Sequence, residues 1–399
     1  MSKRLALRVL ACLLPGMVLA GCAAAPAGPA PELFRDAWFK APTRTIDTGT
    51  IFALDEGMRR FFDERLARDA HSSRALSRLV QELTDRDGLR LYYDSSRTRT
   101  AAEAFEAHQG NCLSLVVMTA AFAREMGIAV DFRSAEVADI WGRSGRLAVG
   151  SGHIDITLNP VPLIIGARVE ERPVSIDFLP PDQMRDLPTH TVPESTVVAM
   201  FMNNRAVEAL ADGRVDDAYA WARAALHEDP DMALAYNTLG VIYRHHGDLA
   251  QAAIVLRQAL DRQPDSPLAL SNLADTLEQL GDTLQGAALR TRLAAIDPDP
   301  PFHYYDMGLI AYRHHDYRAA RDLFAKEVAR AGYYHEFHFW LALAQFRLGR
   351  IEDAGSELAL ARAYSTTQHD RDLYGAKLAW LHGVDGTPVS GTGAGTMAR

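Results

Sequence analysis

Through its first half the chain alternates between helical and strand spacing of its apolar residues, and beyond Pro193 only helical spacing remains. Met58, Phe61, Phe62 and Leu66 recur at helical spacing behind Asp55, as do Leu76, Leu79, Val80 and Leu83 behind Ser72 and Ser73. Two amphipathic helices are expected there. Asp87-Gly88 supplies a turn, and residues 89–93 read as a short strand. The nearly unbroken apolar run from Val116 to Met126 suits a helix buried inside a domain. Residues 129–137, 152–158 and 173–178 then have strand character, so a mixed α and β unit is expected over 46–192.

The second half repeats every 34 residues: Gly213, Gly247, Gly281 and Gly349 fall in register, with His315 in the one slot that lacks glycine. Five units result. Small residues recur at one helix contact (Ala206, Gly240, Ala274, Gly308, Ala342) and at the next (Ala218, Ala252, Gly286, Ala320, Ala354). Pro230, Pro264 and Pro298 end units, each unable to continue the preceding helix. The pattern resembles the tetratricopeptide repeat, and Tyr236, Leu239-Gly240, Tyr243, Ala252, Ala259 and Pro264 give its best single match. It covers 199–368. Units four and five depart from it, with Glu327 in a small-residue slot and the closing proline lost. A capping helix over 369–383 and a disordered Gly- and Thr-rich tail over 384–399 are expected to follow. The resemblance implies a concave groove lined by the first helix of each unit, with Asn203, Asn237, Ser271, Tyr305 and Phe339 facing a protein or peptide ligand.

The N-terminus changes the setting. Lys3, Arg4 and Arg8 precede an apolar run from Val9 to Ala20, and Leu19-Ala20-Gly21-Cys22 follows, the order of a secretory signal. The last four residues resemble the lipobox of bacterial lipoproteins, which implies cleavage of residues 1–21 and acylation of Cys22. Ala23 in the next position implies the outer membrane, facing the periplasm. Residues 22–45, opening on Ala- and Pro-rich sequence, are expected to be a tether to the membrane. Loss of the three signal-peptide cations takes the net charge from −9 to −12, which argues against a nucleic-acid partner. Of the three cysteines Cys12 leaves with the signal and Cys22 is consumed by lipid. Cys112 is then the one free thiol, and in an oxidising compartment it needs a reason to be there.

That reason is legible in Gln109-Gly110-Asn111-Cys112, which puts a cysteine at the start of a helix, where unsatisfied backbone N–H groups favour a thiolate. His153 lies in the second strand segment and Asp177 in the third, so adjacent strands could align them. Gly-Asn-Cys at a helix start, Arg124 and Gly127-Ile128 closing the helix, a strand His, and an Asp ahead of Leu-Pro resemble the transglutaminase-like superfamily of papain-like thiol folds. The resemblance implies Cys112 as nucleophile, His153 as general base and acid, and Asp177 as the group orienting the imidazole. Asp155 shares a strand face with His153 and competes for that last role. The Cys112 backbone N–H is the natural oxyanion donor and Gln109 a candidate second.

The expected fold is an α+β transglutaminase-like, papain-like domain followed by an all-α solenoid of tetratricopeptide repeats. The expected function is cleavage or acyl transfer at amide or ester bonds of peptides or proteins, without metal or cofactor. The competing reading is a non-catalytic scaffold lipoprotein for envelope protein assembly. Neither His245-His246 nor His314-His315 has the geometry of a metal site, because adjacent helical residues diverge.

Overall fold

The computed structural model describes residues 29–85, 88–135, 141–144, 147–150, 153–160, 172–178, 189–299 and 302–384. Cys22, the signal segment and the tail from 385 lie outside them.

The first half opens with helices α1 (Glu56–Phe61) and α2 (Ala75–Thr84). Asp55 caps α1 by accepting the Met58 N–H at 2.8 Å. Strand β1 (Tyr92–Tyr93) runs parallel to β2 (Gln109–Gly110), and α3 (Ala101–Ala107) connects them. A Thr100–Glu103 capping box starts α3. Helix α4 (Cys112–Glu125) follows, buried almost all round from Leu113 to Ala123. Strand β3 (Ala129–Ala135), the hairpin β4 (Trp141–Ser144) and β5 (Leu147–Gly150), β6 (His153–Asn159), β7 (Val174–Ile176) and β8 (Thr189–Val192) complete the region. The order β7-β6-β3-β8 is antiparallel throughout. Ile154, Ile156 and Leu158 on β6 are buried with α4, whose apolar surface they meet. Strand β8 occupies sequence that reads as a Pro-bounded linker; pairing with Phe132 to Ala135 makes it an edge of the sheet.

The second half is helical hairpins: α5 (Glu194–Ala211) with α6 (Val215–Glu228), α7 (Ala233–His246) with α8 (Leu249–Arg262), α9 (Pro267–Gln279) with α10 (Thr283–Ile296), α11 (His303–Arg313) with α12 (Tyr317–Arg330), and α13 (His335–Arg347) with α14 (Ile351–Tyr364). Helix α15 (Gln368–Val384) packs on α14 and closes the stack. The period has a conformational origin. Gly213, Gly247, Gly281 and Gly349 all have φ between 75 and 101°, and His315 takes the same left-handed turn at φ 62°. Close helix approach explains the small residues: a Cβ on Gly240 would sit 2.5 Å from Leu256 Cγ.

Two features depart from a plain five-unit stack behind a separate domain. Pro193 divides two kinds of secondary structure but not two cores, because one buried apolar cluster runs from Leu33 through α4 and the sheet to Ala269 in α9. The stack is also broken between α10 and α11. Separate clusters form on either side, Leu273 and Leu277 with Ala253 and Leu256 on one, Phe302, Tyr305, Phe324 and Phe337 on the other. Leu284, 82% exposed, and Ile296, Met307 and Ile310 are left uncovered by the break.

Residues 29–45, expected as tether, are strapped across units one and two. Tyr243 Oη donates to Leu33 O at 2.8 Å, Asp217 accepts the Thr43 N–H at 2.7 Å, and Phe39 stacks on Tyr219 at 3.9 Å. Leu33 is anchored there because its side chain is in the core.

Candidate functional site

The site is assembled at the N-terminal end of α4. Asn111 caps the helix, its Oδ1 accepting the Ser114 N–H at 2.9 Å, while its Nδ2 donates to Thr98 Oγ1 at 2.9 Å. Cys112 is thereby fixed as the first helical residue, a half-buried free thiol. Across from it, β6 opens on His153, which is completely buried. His153 Nε2 lies 3.0 Å from Asp177 Oδ2, just beyond β7. The pairing of β6 with β7, Ile156 opposite Ile176, is what carries Asp177 to the imidazole.

With Nε2–H donated to Asp177, Nδ1 is the nitrogen left for the thiol; it is buried and has no hydrogen-bond partner of normal geometry. Burial alone would lower the His153 pKa, but the bond to Asp177 and the neighbouring Cys112 overcome it and raise it to about 9. The arrangement favours an imidazolium facing the Cys112 side chain. Structure thus brings Cys112, His153 and Asp177 together.

Asp155, in contrast, makes no bond to the ring: Oδ1 is buried without a partner, and the residue is 7% exposed. Burial raises its pKa, Arg133 across the ladder opposes that, and the charge of Asp177 adds to it. Among the described residues, His153, Asp155 and Asp177 form a trio whose potential metal-ligating atoms lie within 4.8 Å of one another. The His153–Asp177 hydrogen bond already occupies the nitrogen and one oxygen that an ion would take.

Gln109 is less well placed than its sequence position implies. It pairs with Tyr92, which is exposed, so the pleat turns both away from the face shared by Tyr93 and Gly110. Tyr93 is the residue that sequence reasoning missed. Its pKa is raised well above the usual phenol value, first by burial of the hydroxyl, then by the charges of Cys112, Asp177 and Asp94. Next to it, buried Asp94 pairs with Arg99 at 3.0 Å and accepts the Ser96 N–H at 3.0 Å.

The loop that follows reaches the helical array at both of its ends. Thr98 N–H donates to Glu208 Oε1 at 2.6 Å and Thr98 O accepts from Arg205 Nη1 at 3.0 Å, both on α5. Ser95 N–H donates to Thr366 O at 3.0 Å, and the two hydroxyls are 2.8 Å apart, beyond α14. Most of the expected groove residues are buried. Asn203 is fully buried with neither amide atom bonded, and Asn237 Oδ1 accepts from Asn272 Nδ2 at 2.9 Å. Tyr305 packs among Phe302, Phe324 and Phe337, and half-buried Phe339 stacks on Tyr374 at 5.0 Å. Only Ser271 and Phe339 of the five retain partial exposure.

The family model of the tetratricopeptide repeat matches residues 203–267, 238–301 and 305–366. The helical array is a tetratricopeptide-repeat solenoid. Such stacks of helical hairpins present extended surfaces for proteins and peptides. The matches leave out 302–304, next to the break between units three and four. Solved structures similar to the array include MamA (18% identity, 40% of this chain and 93% of that one, TM-score 0.23). Others are the thermophilic tetratricopeptide-repeat protein TTC0263 of Thermus thermophilus (18%, 46% and 98%, 0.30) and the type IV pilus biogenesis factor PilW (23%, 47% and 86%, 0.28). No curated protein matches the chain in sequence.

Proposed function

We propose that this protein is an envelope lipoprotein, anchored through Cys22 to the outer membrane and facing the periplasm. Its Cys112 attacks amide or ester bonds of peptides or proteins, with hydrolysis or acyl transfer completing the reaction. The observation that carries the reading is the buried His153 ring, bonded through Nε2 to Asp177 and leaving Nδ1 for the thiol. An isolated structural cysteine would have no use for that pair. The thiolate attacks the carbonyl, the imidazolium protonates a departing amine, and the neutral imidazole then takes a proton from the water or amine that resolves the thioester. The transglutaminase-like resemblance of residues 90–180 supports the same order of roles, and the repeats supply surface for a protein substrate or partner.

Release of ammonia or amine from peptide amides by the full chain, and its loss in Cys112→Ser, is the expected result. A wild-type protein that alkylates at Cys112 yet releases nothing from amides or activated esters would move the reading to the non-catalytic scaffold. The anchor is tested separately: Cys22→Ala should be exported but recovered in the soluble fraction, because the lipobox offers no other acylation site. Retention of that variant on membranes without detergent would remove lipid from the account.

A further inference from the structure

Gly110 is buried, and a Cβ there would lie 2.6 Å from Ser114 Cβ, so β2 is pressed onto the first turn of α4 as only glycine permits. The parallel register sets Tyr93 directly beside Gly110, two residues ahead of Cys112. Tyr93 thus stands beside the residue that leads into the Cys112 helix, near enough to Cys112 and Asp177 for its hydroxyl to feel both. A phenol hemmed in by burial and by three anionic neighbours keeps its proton. It is a hydrogen-bond donor with no competing base role.

We propose that the Tyr93 hydroxyl is the second oxyanion donor of the thiol site, beside the Cys112 N–H, and that the repeat array positions it through the loop 94–98. The assignment rests on the thiol-acyl reading above. In the reaction, the Cys112 thiolate forms a bond to the carbonyl carbon and the carbonyl π pair moves onto oxygen. That oxyanion accepts hydrogen bonds from the Cys112 N–H and the Tyr93 O–H. Collapse expels the leaving group with its electron pair and leaves a thioester, which water hydrolyses with His153 holding the water proton. Glu208 and Thr366 touch none of these atoms. They hold the Thr98 and Ser95 ends of the loop that continues from Tyr93, so Glu208 is a positioning residue.

Two reagents separate this role from thiol activation. Iodoacetamide alkylates a thiolate by direct displacement and forms no oxyanion, whereas p-nitrophenyl acetate acylates through one. In the full chain Tyr93→Phe, which keeps the ring, should alkylate at the wild-type rate within about twofold but release its burst of p-nitrophenolate about 10²–10³ times more slowly. Glu208→Ala should show the same split at roughly tenfold, and Glu208→Gln, which keeps the acceptor for the Thr98 N–H, should restore the burst. Equal bursts from wild type and Tyr93→Phe overturn the oxyanion assignment and leave the enzyme reading intact. If Glu208→Ala bursts normally, the array has no part in the site. A wild type that alkylates but never acylates overturns both the enzyme reading and the assignment built on it.

Discussion

His153→Ala should slow acylation of Cys112 by about 10²–10⁴, the span expected for removal of a general acid-base. Its alkylation by iodoacetamide should also change in pH dependence. In the wild type the imidazolium persists until His153 titrates at about 9, so a positive charge faces Cys112 near neutral pH. Without it, Cys112 should alkylate more slowly near neutral pH, and the difference from wild type should shrink as pH rises through the His153 titration. Asp177→Ala should act in the same direction but less, by loosening the ring, and Asp155→Ala should do little to the rate because it does not bond the imidazole. The same raised pKa makes a stability statement. A histidine at about 6.5 unfolded and about 9 folded contributes stability that is full below pH 6.5 and is lost as pH rises through 9. Urea midpoints for wild type and His153→Ala should therefore approach each other between pH 6.5 and 9. A pH-independent gap between them would mean that His153 is buried neutral, with no thiolate partner.

Glu327→Ala should strongly destabilise the fourth unit of the array. Unit four departs from its repeat pattern here, and the departure has a structural use. The fully buried carboxylate accepts the Phe302 and Tyr304 N–H groups at 3.1 Å each, and Arg330 approaches at 3.5 Å. Those amides open α11, where Phe302 holds a left-handed φ of 65° and supplies no side-chain cap of its own. Alanine would leave the buried Phe302 N–H and the part-buried Tyr304 N–H without their acceptor, at about 2–4 kcal/mol. Hydrogen exchange of the α11 amides should accelerate by about 30- to 1,000-fold while α7 and α8 are unaffected. If α11 protection is unchanged, water or a rearranged turn caps the helix.

The repeats were legible because their signal is periodic, and the residues of the proposed thiol site could be named because their signals are local. Glycines at a 34-residue spacing mark a left-handed turn that few other residues tolerate, and even His315 was found by its slot. Cys112, His153 and Asp177 were each marked by a short motif, and the ladder of β6 with β7 does the rest. Tyr93 was not legible. In Tyr92-Tyr93 the two side chains point to opposite faces, and only the register with Gln109 and Gly110 says which one meets the thiol. Strand β8 escaped because four residues between proline-rich segments carry no alternation of their own. The burial of the expected groove residues was equally invisible, because spacing puts Asn203 and Asn237 on one face but does not report contacts between repeats such as Asn272 with Asn237.

Ser95 and Thr98 are three residues apart, a reach of at most about 11 Å even when fully extended, yet one grips the last repeat and the other the first. The loop 95–98 ties the first unit to the residues that follow the last, across an array that is itself interrupted between units three and four. Open solenoids gain or lose a repeat at little cost because each unit touches only its neighbours. Here one 34-residue unit more or fewer would carry Thr366 away from Ser95. A change in the number of repeats would therefore cost this protein the contact between Ser95 and Thr366.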